Sequence, residues 1–192
     1  MPASRGSDKS NGLYAAFLRG INIGGKSIKM DELRKLAADL GYGDVRSYIQ
    51  TGNLVFSASK KKPAELAGDL SGALRRAYGF DVAVLIRTAP ELEAIAAGNP
   101  FPEEAGSAVR KLYLTLLEKE PAEAKRAALL EYGNEADRFE LHGLTLYTLY
   151  GNGYGKSEFS NNFIEKKLGV AATTRNWASF TEILKMMKPE GN

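Results

Sequence analysis

Four segments with helical apolar spacing end alike, in a large apolar residue followed by glycine: Leu40-Gly41, Tyr78-Gly79, Tyr132-Gly133 and Leu168-Gly169. Glycine just past a helix adopts the left-handed conformation that other residues resist, so each pair marks a helix exit. The runs between the exits match in order. Residues 13–18 are a short apolar run, and residues 30–40 show helical spacing through Met30, Leu33, Leu36, Ala37 and Leu40. Residues 45–50 and 53–58 are strand-like around Thr51-Gly52. Leu66, Leu70, Ala73, Leu74 and Ala77 mark a second helix, and residues 82–87 are an apolar β-branched strand. This is the β-α-β-β-α-β order of ferredoxin-like units.

The order then repeats. Residues 109–117 form a strand and 121–132 a helix. Residues 138–141 and 144–150 form a hairpin around His142-Gly143. Residues 157–168 form a helix capped by Ser157, and 171–175 a short strand. The expected fold class is therefore α+β: two ferredoxin-like β-α-β-β-α-β halves related by internal duplication, plus a C-terminal helix over 179–187. The expected organisation is a mobile tail (1–12), a first subdomain (13–88), a linker with a short helix (89–108) and a second subdomain with the C-terminal helix (109–192).

Composition removes several chemistries. The chain of 192 residues has no cysteine and one histidine, His142. Disulfides, thiolate nucleophiles and cysteine-based metal sites are excluded, and one histidine makes no cluster, so neither metal nor cofactor is implied. The longest apolar run, 13–18, is far below the roughly 20 residues of a membrane helix, and no secretory leader is visible at the start, so a cytoplasmic place and no membrane partner are expected. A net charge of +3 is too small to argue for nucleic acid by itself.

Topology gathers the polar residues. Strands flanking a β-α-β crossover run parallel, so their C-terminal ends share one sheet edge. In the first half that edge collects Arg19, Asn22, Gly24, Gly25, Lys26, Gln50, Thr51 and Asn53. In the second it collects Lys156 and Ser157 with Arg175, Asn176 and Trp177. Glycine-bearing loops, cations and amides beside helix starts suit an anionic or polar ligand. Gly155-Lys156-Ser157 resembles the end of a P-loop, but Tyr150 stands where the motif needs its first glycine. The aromatic pattern of RNA-recognition sheets fails as well, because Asn53 and Val55 occupy the stacking positions.

Three segments carry a resemblance to a known family: Leu18-Arg19-Gly20-Ile21-Asn22-Ile23-Gly24-Gly25, Tyr48-Ile49-Gln50-Thr51-Gly52-Asn53-Leu54-Val55-Phe56 and Thr173-Thr174-Arg175-Asn176-Trp177. They resemble the signatures of a bacterial family catalogued as domain of unknown function 1697, over residues 13–187. The resemblance implies a two-part α+β protein and no established activity. Near Gly155 the family pattern has a basic residue, Ser, then Lys; Lys156 and Ser157 match, and Glu158 stands in place of the second base.

The residues support two functions. One is binding of a phosphate-bearing ligand, a nucleotide or single-stranded nucleic acid, with Arg19, Lys26, Lys156 and Arg175 on phosphates. Gln50, Asn53 and Asn176 would then meet polar edges, and Trp177 a ring. The alternative is an enzyme on a small phosphorylated metabolite, with Arg19 or Lys156 stabilising charge and Lys26 as base. Neither oligomeric state nor a meeting of the two edges in one cleft follows from the sequence.

Overall fold

The computed structural model describes residues 11–22, 24–59, 61–105 and 111–188. Residues 1–10 of the expected tail, Ile23 of the first loop and the expected strand start at 109–110 lie outside the described residues. The first half contains β1 (Asn11–Leu18), α1 (Met30–Asp39), β2 (Gly43–Tyr48), β3 (Asn53–Ser59), α2 (Pro63–Tyr78), β4 (Val84–Thr88) and α3 (Ala89–Ala97). The second contains β5 (Lys111–Leu117), α4 (Glu123–Leu130), β6 (Asp137–His142), β7 (Thr145–Tyr150), α5 (Asn161–Leu168), β8 (Ala172–Asn176) and α6 (Trp177–Met186).

Each half forms one four-stranded antiparallel sheet, in the orders β2-β3-β1-β4 and β6-β7-β5-β8. These are the same order, which is the duplicated ferredoxin-like arrangement. The registers agree too: Tyr14 lies opposite Thr88, and Tyr113 opposite Asn176. Each half ends in one more helix, α3 after β4 and α6 after β8.

β1 explains why its sequence lacks alternation. Tyr14, Ala16 and Leu18 pack toward α1 and α2, while Ala15 and Phe17 face the other half. A strand buried on both faces has no polar side. The second sheet offers Leu112, Leu114, Leu116, Tyr147 and Leu149 to the same shared layer, which α3 and α6 complete with Leu92, Phe180 and Ile183. Each fully buried Leu or Phe there contributes about 1.5–3 kcal/mol relative to exposure. The faces that an isolated ferredoxin-like sheet leaves to solvent are thus buried in one layer shared with α3 and α6, and the other helices cover the outer faces.

Two expectations need correction. Gly41, Gly79 and Gly169 do take positive φ, at 84°, 75° and 70°, but Gly133 does not. α4 stops at Leu130 with only Leu129 buried, so it ends before reaching that glycine. The helix expected from 157 starts at Asn161, capped by Ser160, whose hydroxyl accepts from Phe163 N. Ser157 is held elsewhere: its hydroxyl donates to Asp137 Oδ2 at 2.8 Å. Gly155 and Lys156 belong to a short 3-10 turn, Tyr154–Lys156, and do not open a helix.

Candidate functional site

The C-terminal ends of β1 and β2 meet the end of β8. Leu18 N donates to Gly52 O at 2.8 Å, which joins the first strand to the β2–β3 turn. Gly52 sits at φ +76°, and a Cβ there would lie 2.6 Å from Ile21 Cδ1, so the turn requires glycine twice over. Asn22, itself left-handed at φ 58°, ties the first loop. Its Oδ1 accepts from Ile28 N at 2.8 Å, and its Nδ2 donates to Gln50 O at 2.6 Å.

Arg175 crosses from β8 into this assembly and is buried. Its Nε donates to Asn53 Oδ1 at 2.6 Å, and Nη1 donates to Thr173 Oγ1 and Thr174 O. Nη2 donates to Leu18 O at 2.8 Å and Thr51 O at 3.0 Å. Asn53, also buried, donates in turn to Tyr48 O and Thr51 Oγ1. Every one of these acceptors is uncharged. Burial pushes the guanidinium down to about 10, with the Tyr154 phenol opposing the shift.

Arg19 is the second cation. Its Nε donates to Glu165 Oε1 at 2.9 Å and its Nη2 to Asn162 Oδ1 at 2.6 Å. The Glu165 carboxylate raises its pKa, which makes the pair locally neutral. Glu165 Oε1 also accepts from Ala172 N, so α5 and β8 hold it in place.

Between these groups lies an open cleft of about 440 Å³ that draws on both halves. Arg175 lies on its floor, and Arg19 and Thr51 line it. Asn161, Asn162, Asn176 and Ser179 add the first turns of α5 and α6 to the lining, where helix dipoles favour negative charge, and Asn162 meets Arg19 there. Thr174 donates to Asn161 Oδ1 at 2.9 Å, and the rings of Tyr113 and Tyr154 stack with centroids 4.9 Å apart. Ile49 stands at the mouth, exposed by 48% and left-handed at φ 47°.

Of the residues singled out by sequence, the cleft gathers Arg19, Thr51, Arg175 and Asn176. Asn22, Gly24, Gly25, Gln50 and Asn53 shape the adjoining loops or, for Asn53, hold Arg175 from behind. Lys26 turns away: its ammonium donates to Asp81 O at 3.2 Å and lies over the Phe80 ring. Lys156 is exposed outside the cleft, and Ser157 is bound to Asp137. Trp177 opens α6, half-buried beside Phe180 in the shared layer. His142 lines a smaller cleft of about 260 Å³ together with Arg87 and Glu91. Sequence reasoning missed Tyr113, Tyr154, Asn161, Asn162, Thr174 and Glu165. The spacing from Ser160 to the apolar residues of α5 was the available signal for the asparagine pair.

Among the described residues no group of three or more His, Asp or Glu could hold a metal, and no helix is long and apolar enough to cross a membrane. None of the curated proteins matches this chain. A solved structure of a conserved bacterial protein from Streptococcus pneumoniae, SP0830, is similar at 24% identity with a TM-score of 0.74. That likeness spans 93% of this chain and 100% of the other, and at this identity it bears on the fold alone. A family model, described as a protein of unknown function (DUF1697), matches residues 12–147. The match takes in the Arg19 loop and the β2–β3 turn and stops before Arg175. With most of its length matched and the duplicated fold in place, this chain belongs to the DUF1697 family.

Proposed function

We propose that the chain binds a small phosphate-bearing ligand of nucleotide size in the cleft between its halves. One observation carries the reading: Arg175 brings a buried positive charge to the floor, and all its partners among the described residues are uncharged. An isolated buried charge is costly until an opposite charge joins it. Arg19 is already matched by Glu165, so among the described residues Arg175 is the cleft cation without an ion-pair partner. The first turns of two helices favour the same sign of ligand. The volume lies in the range of small-ligand sites, and the tyrosine stack provides an apolar wall.

A small ligand is favoured over a nucleic-acid strand because the sheet faces on which RNA-recognition modules stack bases are buried in the layer shared by the two halves. The test is calorimetric titration with AMP, inorganic phosphate and a mixed single-stranded oligonucleotide at two salt concentrations. AMP is expected to bind more tightly than phosphate. Its affinity should fall only modestly with salt, by screening, because a mononucleotide has no condensed counterions to release, whereas each phosphate neutralised on a single strand lowers log K by about 0.7 per decade. Tighter binding of the oligonucleotide with a several-fold steeper slope would replace this reading with nucleic-acid binding. Silence toward AMP and phosphate alike would end it.

A further inference from the structure

The duplication places a second arginine where Arg175 stands. With Tyr14 opposite Thr88 and Tyr113 opposite Asn176, Arg87 corresponds to Arg175, Thr88 to Asn176, and Glu91 to Ser179. The correspondence extends to contacts. Arg87 is buried and donates through Nη2 to Leu117 O at 2.6 Å, the carbonyl that ends β5. Arg175 donates through Nη2 to Leu18 O, the carbonyl that ends β1. Thr88 caps α3 by accepting from Glu91 N, and Asn176 caps α6 by accepting from Ser179 N.

The two places differ at one side chain. Glu91 folds back, and its carboxylate accepts from Thr88 N and Thr88 Oγ1, each at 2.7 Å. From there its negative charge supports the ionised Arg87 against burial. Ser179 is short, uncharged and buried. The backbone donor nevertheless persists. Arg19 N donates to Ala83 O, and Glu118 N to Ala171 O, one residue past each first strand. Both ladders therefore alternate in the same phase, and Asn176 N–H points off the sheet edge as Thr88 N–H does. The smaller cleft holds its own carboxylate beside a buried arginine; the larger one has the arginine, the cap and the donor and, among the described residues, no carboxylate on them.

We propose that the molecule carries two copies of one anion site, related by its duplication: Glu91 fills the first from within, and Ser179 leaves the second to a phosphate group from solution. This rests on the reading of the larger cleft as a phosphate-ligand site and fixes the phosphate at the Asn176–Ser179 turn above Arg175. The rest of the ligand extends toward Thr51, Ile49 and Tyr154, where the long loops widen the cleft.

The reciprocal exchange tests it: Glu91→Ser and Ser179→Glu, titrated calorimetrically with inorganic phosphate and with AMP beside the wild type. Glu91→Ser is expected to raise phosphate stoichiometry from one to two per chain while AMP affinity stays within about twofold. Ser179→Glu is expected to weaken AMP at least tenfold. Glu91 is exposed, so its variant folds and decides the matter even where a glutamate at the buried position 179 prevents folding. Phosphate stoichiometry that stays at one in Glu91→Ser overturns the paired-site proposal and leaves the cleft reading standing. A wild type that binds neither probe overturns both.

Discussion

Three connections contribute to the Arg175 cleft, and the repeat builds each of them a second time to a different length. Residues 19–29 between β1 and α1 have 118–122 as their counterpart. The β2–β3 turn spans 49–52 where the β6–β7 turn spans 143–144, and 151–160 before α5 corresponds to 60–62 before α2. The longer member of every pair lies at Arg175. They deliver Arg19, Thr51 and Tyr154, and the cleft there reaches about 440 Å³ against about 260 Å³. Strand registers could not diverge this way, because a one-residue slip would turn buried faces outward. Loops can: each doubling of length costs only about 0.6 kcal/mol of closure entropy. The scaffold was kept twice, and its connections were lengthened around one cleft only.

The largest expected effect separates the two arginines. Arg175→Met removes bonds to four other residues besides its neighbour Thr174, and it strands the buried acceptors Leu18 O and Asn53 Oδ1 along with the part-buried Thr51 O. A loss of about 3–5 kcal/mol is expected in denaturant unfolding. Arg87→Met removes, among the described residues, bonds to Ile86 O and Leu117 O, and about 1–2 kcal/mol is expected. Equal losses would show that the two arginines are the same structural staple and that the elaboration at Arg175 adds nothing to the fold.

The turns come next. Gly52→Ala meets a positive φ and places a methyl group 2.6 Å from Ile21 Cδ1. Gly143→Ala meets a positive φ of 54° in open space. Backbone strain alone predicts about 1 kcal/mol at Gly143, and overpacking adds a further 1–3 kcal/mol, roughly, at Gly52. Thermal unfolding of the two variants checks the order. A Gly52→Ala protein as stable as Gly143→Ala would mean that Ile21 moves aside at little cost and that the tight turn does not fix the cleft edge.

The repeat was legible because its signals are local: apolar spacing, turn glycines and the order of elements. The sheet edges were legible by topology, which is why Arg19 and Thr51 were placed on one edge and Arg175 and Asn176 on the other; that both edges line one cleft depends on how the halves pack and was not legible. What Arg175 does was hidden, since its partners Asn53, Thr51 and Leu18 lie in the other half and far along the chain. Ser157 looked like a cap because a helix-like pattern follows it; its bond to Asp137 on β6 is tertiary and leaves no local trace. Tyr113 and Thr174 are ordinary strand residues in sequence and become cleft walls only through register. The equivalence of Glu91 and Ser179 likewise needs the register of both sheets, because no residue type is shared at that position.

The smallest effect tests the rim. Glu165 lies four residues before Gly169, and Arg75 lies four before Gly79, so the duplication sets opposite charges at one position. Arg75 turns to Asp81 at 3.5 Å with both side chains largely exposed, so Arg75→Gln should change stability by no more than about 0.5 kcal/mol. Glu165→Gln removes a two-point pair with Arg19 whose side chains are 34% and 19% exposed. Solvent screens part of that interaction, and a loss of about 1 kcal/mol is expected. Its effect on ligand runs the other way. With the carboxylate gone, Arg19 adds a second unmatched cation to the cleft, and AMP affinity should rise about three- to tenfold at low salt, shrinking as salt is added. Weaker AMP binding in Glu165→Gln would mean that the ion pair orders the rim for ligand more than its negative charge repels it, and Arg19 would then be a positioning residue whose charge the phosphate never meets.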